Sequence, residues 1–105
     1  MWCKVSEIKV VTICGSMRYA KQMMDIARDL EIKHGYCVIQ CVYGVSPNLT
    51  KEEMENIVNA HYKKIDISDA IYVVNIAGYI GASYKSEIEY AKSHSKEIIY
   101  HENID

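Results

Sequence analysis

Glu87 is the residue in this chain best placed to do chemistry. It lies in the first turn of a predicted helix that follows an apolar strand and the glycines Gly78 and Gly81. The helical period sets it between Tyr84, Ile88 and Ala91, so it points along the side of the helix that faces a sheet. A carboxylate there can act as a nucleophile or a base, or can merely favour the helix dipole. The two glycines remove side chains where a ligand would approach the backbone, and Tyr79 between them can stack on a planar ring. A second junction, Gly15-Ser16-Met17-Arg18, combines amides at a predicted helix start with a hydroxyl and a guanidinium, which suits a single phosphate or carboxylate. The plainer reading is that Ser16 caps the helix and Arg18 is a solvated charge. The segment is neither a Walker loop nor a GxGxxG fingerprint, so dinucleotide and triphosphate binding are not indicated.

Other reactive side chains read more plainly. His61 falls on an apolar helix face, where a hydrogen-bonded core histidine is the ordinary outcome, and Asp69 before the third strand suits a cap or turn. His34, Cys37 and Cys41 invite a metal reading, but the two cysteines share one face of a predicted strand with Ile39 and no fourth ligand is evident. We therefore expect no metal site, and expect the four cysteines, which lack CxxC spacing, to behave as small apolar residues.

These junctions need an alternating scaffold, and the apolar pattern supplies one. Ile8 to Cys14 is a continuous apolar strand, as in a parallel sheet covered on both faces. Tyr19, Met23, Ile26, Ala27 and Leu30 recur at helical spacing in a helix that starts at Gly15 and Ser16 and stops at Gly35. Tyr36 to Tyr43 is a second strand, and Gly44 to Thr50 is a loop. Thr50-Lys51-Glu52-Glu53 forms a capping box ahead of a helix whose buried side carries Met54, Ile57, Val58, His61 and Ile65. A strand from Ala70 to Ile76, a helix from Ser83 to Ser95 and a strand from Glu97 to Tyr100 complete βαβαβαβ. The expectation is an α/β, Rossmann-like or flavodoxin-like three-layer fold, with a four-stranded parallel sheet ordered 2-1-3-4. Its switch point would bring Gly15 to Arg18 beside Gly78 to Glu87.

The 105 residues suit a single domain spanning 1–105. A net charge of -2 with interspersed signs offers no face for a nucleic acid polymer. The apolar runs are strand-sized, so neither a signal peptide nor a membrane span is expected, and a cytoplasmic location follows.

Three blocks in series carry a resemblance: Ile13-Cys14-Gly15-Ser16-Met17-Arg18, Ile65-Asp66-Ile67-Ser68-Asp69-Ala70, and Gly81-Ala82-Ser83-Tyr84-Lys85-Ser86-Glu87-Ile88-Glu89-Tyr90-Ala91. Together the chain resembles the nucleoside 2-deoxyribosyltransferase superfamily, including the nucleoside 5'-monophosphate N-glycosidases. The resemblance implies cleavage of the bond between a (deoxy)ribose and its base, a homodimer or larger homo-oligomer, and no cofactor or metal. It maps the catalytic glutamate, the nucleophile at the anomeric carbon, onto Glu87. It places Gly15, Ser16, Met17, Arg18, His61, Gly78, Tyr79, Gly81 and Ser83 at the substrate, with Ser16 and Arg18 holding a 5'-phosphate. The chain has Gly81 and His61 where the family commonly has an aspartate or serine and an aspartate. A non-catalytic nucleotide-binding or sensing module of the same fold is the alternative.

Overall fold

The computed structural model describes residues 4–78 and 82–102. Four parallel strands, β1 (Val10–Gly15), β2 (Cys37–Ile39), β3 (Ala70–Val74) and β4 (Glu97–Tyr100), form one sheet in the order β2-β1-β3-β4. The connecting helices are α1 (Ala20–His34), α2 (Lys51–Asp66) and α3 (Ala82–Ser93). This is the expected α/β architecture and strand order. Because the chain steps one way from β1 to β2 and then back across β1 to β3 and on to β4, right-handed crossovers put α1 on one face and both α2 and α3 on the other.

The pleat sorts the core accordingly. Ile13 and Val74 pack with Met23 and Ala27 of α1 on one face. Cys14, Ile71 and Val73 pack on the other with Ile65 of α2 and Tyr84, Ile88 and Ala91 of α3. Thr12 faces the second layer and is fully buried, with its polarity satisfied. Its Oγ1 donates to the Lys64 carbonyl at 3.0 Å and lies 2.6 Å from Ser68 Oγ. That polar stitch fixes the last turn of α2 over β1, and so fixes the position of His61 one turn earlier.

Local signals explain most boundaries. The Thr50–Glu53 capping box forms in both directions, with Glu53 N–H on Thr50 Oγ1 at 3.1 Å and Thr50 N–H on Glu53 Oε1 at 2.8 Å. Gly35 ends α1 in the left-handed conformation at φ 69°.

Four expectations need correction. β2 covers Cys37–Ile39 rather than reaching Tyr43: its pairing with β1 ends at Thr12–Ile39, and beyond it the chain turns away to line a cavity with Cys41 and Val42 while β1 runs on to Gly15. Cys41 therefore leaves the strand, and Cys37 is exposed. α1 begins at Ala20, after a 3-10 turn over Met17–Tyr19, rather than directly at Ser16. β3 stops at Val74, and Ile76–Gly78 forms another 3-10 turn with Ala77 at φ 54° and Gly78 at φ 74°. Finally, Met54 and Val58 of α2 are about half exposed, at 51% and 48%, rather than buried against the sheet.

Candidate functional site

The exposed half of the apolar face of α2 looks into a cavity of about 580 Å³ beyond the C-terminal ends of β1 and β2. Met54, Ile57 and Val58 form one wall, Val42, Gly44 and Val45 of the β2–α2 loop another, and Gly15, Ser16, Met17 and Ala20 the third. Helical periodicity marks an apolar face without saying whether protein or a ligand space covers it. An open sheet of this topology binds ligands at this end. The cavity spans the β1 and β2 loops, nearer the edge strand than the β1–β3 switch point.

His61, Glu87 and Cys14 meet beside this cavity. His61 Nε2 lies 2.8 Å from Glu87 Oε1 and 3.5 Å from Cys14 Sγ. The side chains of His61 and Glu87 are 13% and 17% exposed, and both line the cavity, whereas Cys14 is buried in the sheet. Three elements converge here: the end of β1 supplies the thiol, the third turn of α2 the imidazole, and the first half of α3 the carboxylate. The three donor atoms lie within 4.8 Å of one another, so Cys14, His61 and Glu87 are the residues able to hold a metal ion among those described.

This is not a relay of the cysteine-protease kind. Such a relay needs the thiol on one ring nitrogen and the carboxylate on the other, whereas both meet Nε2 here. Burial also pushes the Cys14 thiol well above its ordinary pKa, and the nearby Glu87 charge adds to that. An activated thiol needs the opposite. With Glu87 ionised, Nε2–H donates to Oε1 and orients the carboxylate. Tyr62, also in the cavity wall, is pushed up first by burial and then by Glu87, so it presents a neutral phenol.

The anion loop departs from its expected use. Ser16 Oγ accepts the Arg18 N–H at 3.3 Å and caps the 3-10 turn, which is the plainer role weighed for it. Arg18 is exposed and is not among the residues lining the cavity. The lysine that does line it is Lys64, whose Nζ donates to the Gln40 carbonyl at 3.0 Å. Sequence held a signal for Lys64: Ile57, His61 and Lys64 recur at helical spacing, so a lysine follows the histidine on one face. For the Cys14 contact there was none, since 47 residues separate it from His61.

The described part of the β3–α3 junction, Asn75 to Gly78, is anchored by side chains. Asn75 is fully buried, and its side chain clamps the chain beyond β4: Nδ2 donates to the Glu102 carbonyl at 2.9 Å and Oδ1 accepts the Glu102 N–H at 2.7 Å. Glu102 Oε2 in turn accepts the Ala77 N–H at 3.1 Å. Gly78 serves the left-handed turn and does not line the cavity. Tyr79 and Gly81 lie outside the described residues, as does the side chain of Ser83. Comparison of the chain with known protein families, with characterised proteins and with solved structures finds no match.

Proposed function

We propose that this protein cleaves the N-glycosidic bond of a nucleoside or nucleoside 5'-monophosphate, by hydrolysis or by transfer of the sugar, with Glu87 as nucleophile. The observation that carries this reading is the Glu87 carboxylate, held by His61 at 2.8 Å at the edge of a cavity with apolar walls. Those walls suit a planar base. The residue blocks resembling the nucleoside 2-deoxyribosyltransferase superfamily add support, and a homodimer belongs to the same reading.

In this mechanism the His61 N–H on Oε1 leaves Oε2 to attack. The bond from Oε2 to the anomeric carbon forms as the bond to the base nitrogen breaks, and the base departs with that electron pair and takes a proton from solvent. Water then attacks the anomeric carbon, the ester pair returns to the carboxylate, and the water's proton goes to solvent. A second base in place of water makes the reaction a transfer. His61 is a positioning residue, and Lys64 with the Gly15 to Met17 backbone supplies positive potential for a 5'-phosphate.

Incubation with a panel of deoxynucleoside monophosphates, followed by chromatography, reads the reaction directly. Free base should appear with the wild type, and Glu87→Gln should cut its release by a factor on the order of 10³ or more, as loss of a nucleophile does. Ligand binding without base release would instead identify a nucleotide-binding module. Undiminished release by Glu87→Gln would remove Glu87 from the chemistry.

A further inference from the structure

We infer that Cys14, His61 and Glu87 form a three-ligand site for a zinc-type divalent cation, with its fourth position open to the cavity. The donor set is one that zinc favours: a thiolate, an imidazole nitrogen and a carboxylate oxygen. The spacing fits as well. Tetrahedral zinc at its usual bond lengths holds sulfur and nitrogen ligands about 3.5 Å apart, and nitrogen and oxygen ligands about 3.3 Å apart. Cys14 Sγ and His61 Nε2 already stand 3.5 Å apart and Nε2 and Glu87 Oε1 2.8 Å apart, and all three ligand atoms lie within 4.8 Å of one another, so side-chain movements of about an ångström set them around one ion.

The convergence on one nitrogen also points to a cation. Nε2 carries either one proton or one lone pair, so it cannot donate to both neighbours. A metal at the centre replaces that contest with three lone pairs aimed at one ion. On binding, the Cys14 thiol gives its proton to solvent, while the His61 proton moves from Nε2 to Nδ1, so the ring stays neutral and Nε2 offers its lone pair. Thiolate and carboxylate together then balance a divalent charge in a largely buried place. The elements need not move far, because Thr12 and Ser68 pin the last turn of α2 to β1.

The site has one consequence that rests on the proposed glycosidase reading: a metal-bound Glu87 cannot attack a sugar, so zinc would inhibit. Binding itself is tested without reference to activity. Reduced protein is titrated with Zn²⁺ by calorimetry and with Co²⁺ as the spectroscopic probe. One equivalent should bind, and Co²⁺ should give a thiolate charge-transfer band in the near ultraviolet with the strong visible absorption of a tetrahedral ion. His61→Ala and Glu87→Gln should each weaken binding by at least about tenfold, the loss that even outer partners of a metal ligand produce.

Because Cys14 is a core residue, the Cys3→Ser/Cys37→Ser/Cys41→Ser variant, which leaves it as the one thiol, decides the sulfur ligand without disturbing it. Retention of the charge-transfer band in that variant supports the site. Absence of the band there, or equal Zn²⁺ affinity in His61→Ala, overturns it. A failure of the glycosidase reading would appear as absent base release with metal binding intact, so the two outcomes separate.

Discussion

At the scale of single residues, His61 Nε2 and Gly15 show how far a side chain's meaning depends on what it touches. His61 was legible as a histidine on an apolar face, but its partners come from β1 and α3, 47 and 26 residues away in sequence. No spacing rule reaches that far. Gly15 read as room for an anion, yet its missing side chain also permits close packing of α1 and β3. A Cβ there would stand 3.1 Å from Met23 Sδ and 3.2 Å from Val74 Cβ. The methionine can turn aside, but the Val74 Cβ is fixed to its strand. Gly15→Ala is therefore expected to cost about 1 to 2 kcal/mol of stability by overpacking, measured by urea denaturation. A neutral result would mean that β1 and α1 can separate slightly at no cost.

At the scale of elements, α2 does two jobs along one face. Its C-terminal half packs Ile65 into the core, while its N-terminal half presents Met54, Ile57 and Val58 to the cavity. The capping box holds the N-terminal half, whose apolar side chains face the cavity rather than the core. Thr50→Ala should lower stability by about 1 kcal/mol and fray that first turn, read as a lower urea midpoint and faster amide exchange over the first helical turn. The strands of the sheet were legible because β1 and β3 are covered on both faces and so read as unbroken apolar runs. The edge strand β2 was overread because Val42 and Tyr43 continue the apolar pattern beyond the last residue that pairs with β1. A cavity wall and a strand can share a hydropathy pattern.

At the scale of the whole molecule, pH acts on stability through phenols kept protonated by the fold. Burial raises Tyr43 above its ordinary range, with Cys41 adding to the effect, and burial followed by Tyr36 raises Tyr72. As pH rises past the ordinary tyrosine pKa of about 10, these phenols ionise in the unfolded chain before they do so in the folded one. The unfolded state then holds fewer protons, and stability present at neutral pH is lost progressively. Urea midpoints should fall between about pH 9 and about pH 11, and Tyr43→Phe should make the fall shallower. An equal slope in the variant would assign the alkaline loss to other groups. The overall architecture needed no such detail to be foreseen: alternating strands and helices with short connections leave few topologies, and handedness selects among them.

The Asn75 clamp on Glu102 gives the molecule an order of opening. The turn that leads from β3 into α3 hangs from two hydrogen bonds of Asn75 and one from the Glu102 carboxylate, all anchored on the chain just past β4. Peeling that terminal segment from the sheet edge leaves a buried amide without partners and frees the Ala77 N–H. Release of the far edge therefore also removes the anchors of the Ile76–Gly78 turn that follows β3, so the fourth strand is a brace for the third strand's exit as well as a neighbour in the sheet.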